Sequence, residues 1–211
     1  MPGFTVQTLR AFVPEETRPY ESALAYPAVF SPRQCERIIE QAAGLATEAA
    51  HVGGGDGETE HVDGVRRSNI AWIPAEEPYV WIHDKLAEVV RRANRRYGFD
   101  VIGFTEELQF TEYDGEGAFY TWHQDGLDGD LAVRKLSMVV QLSDGTDYEG
   151  GDLEFFAVHG DGAEVSPEWS PRVRSRGTVV VFPSFEFHRV TPLRSGTRRS
   201  LVCWVGGPPF R

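Results

Sequence analysis

The stretch Tyr113–Asp125, Y-D-G-E-G-A-F-Y-T-W-H-Q-D, decides how the rest of this chain is read. It consists of an extended run, a glycine-containing turn over Asp114–Gly117, and a second extended run ending in His123-Gln124-Asp125. Side chains at i and i+2 of a strand share a face. His123 and Asp125 can therefore set an imidazole and a carboxylate side by side on one wall of a pocket. One His and one carboxylate leave a metal short of ligands, so a second His is sought downstream. His188, in F-P-S-F-E-F-H-R-V-T-P between apolar runs, fills that place.

Two neutral imidazoles and one carboxylate on one face of an octahedron, with the other positions open, suit a non-haem Fe(II) centre. The same donors suit catalytic zinc. Downstream, His188–Thr191, the turn Pro192–Gly196 and Thr197–Val205 read as a hairpin that returns Arg198 towards His188. Arg198 shares strand parity with Ser200, Val202 and Trp204, and Arg199 takes the opposite face. An inward guanidinium is costly unless an anion meets it, and its planar fork matches a carboxylate. The expectation is a metal and a carboxylate anchor in one cavity.

Length and charge narrow the setting. The chain has 211 residues, enough for one well-packed domain. Its formal net charge is -11, with 41% hydrophobic residues. That acidity argues against nonspecific nucleic-acid binding, which needs a basic footprint, although Arg91-Arg92 and Arg95-Arg96 form a local basic patch. No apolar run is long enough to span a membrane, and M-P-G-F-T-V-Q-T-L-R lacks the apolar region of a signal peptide. Cys35 and Cys203 make neither a disulfide framework nor a metal pattern. Reduced thiols and a cytoplasmic location are expected.

Residues 1–27 are expected to be an irregular or short-strand lead-in. Ser31-Pro32 starts a helix, with Ser as N-cap, and Cys35, Ile38, Ile39 and Ala42 form its apolar stripe. The glycine-rich segment Ala50–Gly64 is a long loop and a candidate lid. Val65–Ile73 reads as extended, and Pro78 opens a second helix that runs to about Tyr97 and stops at Gly98. From Phe99 onward, strands alternate with Gly and Asp turns. Helices first and strands after, without β-α alternation, exclude a parallel sheet and give a mostly β or α+β class.

With these elements in order, the chain resembles the Fe(II)/2-oxoglutarate dioxygenases of the prolyl-4-hydroxylase-like branch. The resemblance rests on the Tyr-turn-Tyr approach to H-x-D, then R-K-L-S-M-V-V-Q-L-S-D, Y-E-G-G-D-L-E-F, G-T-V-V-V-F-P-S and H-R-V-T-P-L-R-S-G-T-R-R-S. It implies a single domain over 1–211, mostly β with flanking helices. Within it, a helical support over about 28–97 would precede a double-stranded β-helix (jelly-roll, cupin-like) core over about 99–205. It also implies Fe(II), 2-oxoglutarate and O2, with ascorbate as an auxiliary cofactor, and it favours iron over zinc through Arg198. His123, Asp125 and His188 become the metal ligands and catalytic centre, and Arg198 the partner of the 2-oxoglutarate C5 carboxylate. Tyr113 becomes a cosubstrate contact, Gln141 a second polar contact, and Trp204 the closure of the pocket. Arg67, Asn69 and Trp122 are the substrate-side candidates. Gly150-Gly151 is read as a tight structural turn.

An Asp at position 125 leaves no vacancy for a halide, so the resemblance implies hydroxylation rather than halogenation. Prolyl hydroxylases often carry Lys where Arg198 stands, and this chain departs from them there. The implied reaction is oxidation of a C–H bond, with 2-oxoglutarate going to succinate and CO2. The expected partner is a small-molecule or peptide substrate, without nucleic acid or membrane. An amino-acid or peptidyl side chain is the first expectation. The alternatives are oxidative tailoring of a small metabolite, or a catalytically inactive cupin-like binding protein.

Overall fold

The computed structural model describes residues 21–50, 64–126, 129–156 and 169–209. The candidate lid lies almost wholly outside the described residues, as do His51, His61 and His159. After the strand β1 (Leu24–Tyr26), helix α1 spans Pro32–Ala43. The Ser31 hydroxyl accepts from the Gln34 backbone N–H, and the Gln34 side chain accepts from the Ser31 N–H. This reciprocal pair satisfies two otherwise orphaned donors, and Pro32 sits in the first turn, where no N–H is needed. The stripe predicted from the sequence is the buried one: Cys35, Ile38 and Ala42 face the core.

Helix α2 runs Val80–Tyr97 and ends at Gly98, whose φ of 71° is left-handed and lets its N–H return to the Asn94 carbonyl. The strands are β2 (Glu48–Ala49), β3 (Arg66–Arg67), β4 (Asn69–Ile73), β5 (Gly103–Phe104), β6 (Leu108–Asp114) and β7 (Phe119–His123). They continue with β8 (Arg134–Gln141), β9 (Tyr148–Gly150), β10 (Leu153–Phe155), β11 (Val179–Pro183), β12 (His188–Val190) and β13 (Leu193–Gly206). A short helix α3, Trp169–Arg174, precedes β11. Among the described residues, no helix is long and apolar enough to cross a membrane.

Two antiparallel sheets result. The larger has the order β1-β11-β8-β13-β6-β4-β2, with β5 and β9 pairing onto β13, and the smaller has β10-β12-β7-β3. The outer face of the larger sheet carries the main core. Met138, Val140, Val179, Val181 and Leu201 pack there against Ile38, Ile82, Leu86 and Val89 of the two helices. Because that face is closed by helices, β8 is buried along its whole length. Its other face, including Val139, looks towards the smaller sheet and helps line a cavity.

Two local expectations are corrected. His188–Val205 is not a hairpin: β12 and β13 lie in different sheets, and Leu193–Gly196 is strand rather than turn. Both edges of β12 are already taken by β10 and β7, so no edge is left for β13, which pairs with β6, β8 and β9 instead. Likewise Val65–Ile73 is not one run. It changes sheets at Ser68, with β3 on β7 and β4 on β6.

Candidate active site

Between the sheets lies a cavity of about 580 Å³. The smaller sheet delivers a group of donors that could hold a metal. His123, at the end of β7, is the direct cross-strand partner of His188, at the start of β12. Asp125 follows in a bend pinned by hydrogen bonds from the Asp125 and Gly126 N–H groups to the Ser184 carbonyl, at 2.9 and 3.1 Å. His123 Nε2 lies 3.6 Å from Asp125 Oδ1, and His188 Nε2 lies 3.7 Å from Asp125 Oδ2. One donor atom from each residue fits within 4.8 Å of the others.

The protons on the two rings follow from their partners. His123 Nδ1 is 2.8 Å from the Thr121 carbonyl, and His188 Nδ1 is 2.9 Å from the Glu186 carbonyl. A carbonyl only accepts, so each Nδ1 carries the proton and each Nε2 presents a lone pair to the common point. Burial, then the neighbouring His188, hold the His123 imidazole well below its ordinary value, against the pull of Asp125. Burial pushes the Asp125 carboxyl up, but His188, His123, the Ser137 hydroxyl and Arg134 outweigh it and leave it below its ordinary value. Asp125 Oδ2 is buried without a hydrogen bond. A buried carboxylate oxygen without a donor is costly, and a cation at this point removes that cost. Two neutral imidazoles and an ionised carboxylate fit a divalent metal.

The larger sheet delivers the candidate anchor. Arg198, on β13, is 2% exposed and lies opposite Tyr113 on β6, with its guanidinium 5.3 Å from that ring's centre. Both line the cavity, as do Ser200, Val202 and Trp204 on the same face of β13. Among the described residues, no carboxylate lies within ion-pair distance of Arg198. Arg199 points the other way and donates to Glu112 Oε2 at 2.7 Å. A Cβ on Gly151 would stand 3.3 Å from Arg198 Cδ, so the Gly150-Gly151 turn packs directly against the stem of the anchor.

Other predicted site residues lie elsewhere. Gln141 does not line the cavity; its amide donates to the Tyr148 hydroxyl at 2.8 Å. Arg67 is exposed and donates to the Glu116 carbonyl, and Asn69 is exposed beside it on an outer cleft. Both have the opposite parity to Arg66, Ile70 and Trp72, which do line the cavity. Trp122 packs outside, edge-on to Phe156 and under the Arg189 guanidinium. The register between β12 and β7 slips, with His188 opposite His123 but Val190 opposite Tyr120. The slip turns both Tyr120 and His123 inward and leaves Trp122 outside.

Tyr120, Arg66, Gln109 and the Arg134–Glu106 pair line the cavity without having been singled out in the sequence. Arg134 forms a two-pronged ion pair with Glu106, donates to the Asp125 carbonyl at 2.9 Å and lies 3.8 Å above the Trp204 ring. A charged residue opening a strand as apolar as β8 is the one signal that could have found it.

The geometry can now be set beside known proteins. The profile of the 2OG-Fe(II) oxygenase superfamily matches residues 108–206, a span that holds His123, Asp125, His188 and Arg198. Residues 108–206 are thus similar to the 2OG-Fe(II) oxygenases. The chain is similar to a PKHD-type hydroxylase of Synechococcus sp. (strain CC9311), with 28% identity over 81% of this chain and 72% of the relative. It is also similar to a PKHD-type hydroxylase of Hyphomonas neptunium, with 33% identity over 57% of this chain and 54% of that protein. Among solved structures, the fold is similar to a Pseudomonas putida prolyl-4-hydroxylase (TM-score 0.65, 21% identity, 89% of this chain and 93% of that one). A Trichoplax adhaerens prolyl hydroxylase, solved with a hypoxia inducible factor peptide fragment, gives a TM-score of 0.67 at 18% identity, over 88% of this chain and 83% of that one. The core of the chain is therefore a double-stranded β-helix, and the matched profile is that of oxygenases that work with Fe(II) and 2-oxoglutarate.

Proposed function

We propose that this chain is an Fe(II)- and 2-oxoglutarate-dependent dioxygenase that hydroxylates a C–H bond of an amino-acid or peptidyl side chain. One observation carries the reading: a buried His-Asp-His donor set and a buried guanidinium without a carboxylate partner among the described residues share one cavity. The first suits Fe(II), and the second suits the distal carboxylate of 2-oxoglutarate. The named relatives support hydroxylation, and the peptide-bound neighbour supports a peptidyl substrate.

In this reading His123, Asp125 and His188 hold the metal, and Arg198 with Tyr113 fixes the cosubstrate. When bound, iron with 2-oxoglutarate and O2 supplies the oxidising power for C–H hydroxylation, releasing succinate and CO2. The chain's own residues supply placement. The Thr121 and Glu186 carbonyls fix the ring orientations, and Arg134 holds the Asp125 backbone. Trp204, under Arg134, keeps one wall apolar and limits water around the reacting atoms. The helices α1 and α2 brace the larger sheet, so the described residues act as one unit.

The reading is tested by following succinate release over a panel of peptides and amino acids with Fe(II) and 2-oxoglutarate. The expected result is release stimulated by a subset of the panel, with a matching mass gain of one oxygen on those members. Binding of panel members without any stimulated release would instead favour the inactive binding protein.

A further inference from the structure

Among the described residues, three guanidinium groups line the cavity, and two have their roles. Arg134 is neutralised by Glu106, and Arg198 is assigned to the cosubstrate. Arg66 is left over. Its Nε donates to Ser68 Oγ at 2.8 Å and one terminal nitrogen donates to Gln109 Oε1 at 3.0 Å, both neutral acceptors. Among the described residues, no carboxylate lies within ion-pair distance of it. The guanidinium lies 4.6 Å from the centre of the Tyr120 ring, and Tyr120 stacks on His123 with centroids 3.5 Å apart. Arg66 thus stands one aromatic ring away from a metal-binding donor.

The groups around it are donors too. Gln109 is buried and turns its Oε1 to Arg66 and to the Thr111 hydroxyl, which leaves its Nε2 hydrogens unspent. The Tyr120 phenol adds an O–H group to the same wall. Arg66, Gln109 and Tyr120 all line the cavity. The corner offers positive charge and N–H or O–H groups, and among the described residues no carboxylate receives them: Glu48, which also lines the cavity, accepts from the Trp72 indole instead. Such a corner favours a carboxylate over an amide or an ammonium. The Arg66 fork is already tied at two nitrogens and stacked on a ring, so little entropy is lost on binding.

We propose that Arg66, with Gln109 and Tyr120, forms a second carboxylate-binding subsite that anchors a carboxylate of the substrate beside the metal centre. This rests on the oxygenase reading of the cavity and narrows its substrate class. The substrate carries a carboxylate close to the carbon that is oxidised. That group is either the α-carboxylate of a free or C-terminal amino acid, or an acidic side chain within a peptide.

Calorimetry on the full chain with Fe(II) and 2-oxoglutarate, without oxygen, tests this with matched pairs. One arm compares free L-amino acids with their carboxamides, starting from L-proline and L-prolinamide. The other compares blocked peptides that differ only by an internal Glu or Gln. The expected result is that in at least one arm the carboxylate binds at least tenfold tighter, about 1.4 kcal/mol. The arm that responds identifies the source. Arg66→Gln should collapse that preference to less than about threefold, Arg66→Lys should keep part of it, and Arg67→Gln should leave it intact. An unchanged thermal midpoint for either Arg66 variant shows that the loss is local. Equal affinity within every pair, no binding by any carboxylate member, or a preference that survives Arg66→Gln overturns the proposal. So does loss of 2-oxoglutarate binding in Arg66→Gln, which would give Arg66 to the cosubstrate. Failure of the wild-type protein to bind 2-oxoglutarate at all counts separately, against the oxygenase reading itself.

Discussion

Arg198 is where charge and geometry can be separated. It is 2% exposed, faces the cavity, and meets no carboxylate among the described residues. Arg198→Lys keeps the charge but loses the planar two-pronged donor and part of the reach. It is expected to raise the KM for 2-oxoglutarate at least tenfold, about 1.4 kcal/mol. Arg198→Ala should be worse, because it strands a carboxylate in a buried site. Arg199→Ala, which removes only the outward pair with Glu112, should leave that KM near wild type. Steady-state kinetics at varied 2-oxoglutarate would check all three, and the reverse ranking of Arg198 and Arg199 would shift the strand register by one. The parity of Arg198 could be read from the sequence because β13 is one long unbroken strand. That of Arg66 could not, because the chain changes sheets at Ser68 and nothing in V-R-R-S-N-I says which face turns inward.

At the scale of elements, local signals were faithful and long-range pairings were not. Ser31-Pro32 and Gly98 mark helix ends by chemistry confined to a few residues, and both stand where they were read. The false hairpin over His188–Val205 has a different cause. Consecutive antiparallel strands usually pair, but in a jelly roll the connection crosses between sheets, and only the occupied edges of β12 reveal it. The slip in β7 was equally hidden: strict alternation places Tyr120 and His123 on opposite faces, yet both line the cavity. The Gly150-Gly151 turn was legible, and its cost can be measured. Gly150 has φ 71°, and a Cβ there would lie 2.3 Å from the Pro192 carbonyl oxygen. Gly150→Ala is expected to cost about 1–3 kcal/mol of stability, read as a lower urea midpoint with an unchanged slope. An unchanged midpoint would mean that the crossing from β9 to β10 yields without strain.

For the molecule as a whole, the order of motifs pointed to the jelly roll. The substrate side stayed hidden because it is built from both sheets at once. The buried His-Asp-His group also gives the metal-free protein a pH dependence. His123 titrates well below the ordinary imidazole value of about 6.5 when folded, so the unfolded chain binds more protons beneath that value. Stability from this group is therefore complete above about pH 6.5 and is lost as the pH falls towards the folded value. Urea midpoints of the metal-free protein at about pH 7.5 and about pH 5.5 should fall more steeply for wild type than for His123→Gln.

The central claim is that His123, Asp125 and His188 hold Fe(II) in the cavity where Arg198 receives 2-oxoglutarate. The most direct measurement is the visible spectrum of the protein with Fe(II) and 2-oxoglutarate in the absence of oxygen. The weak charge-transfer band of a metal-chelated keto acid should appear in wild type and Arg199→Ala, and should be abolished in His123→Ala and in His188→Ala. A band that survives in both histidine variants would contradict the account, because the iron would then be held somewhere else.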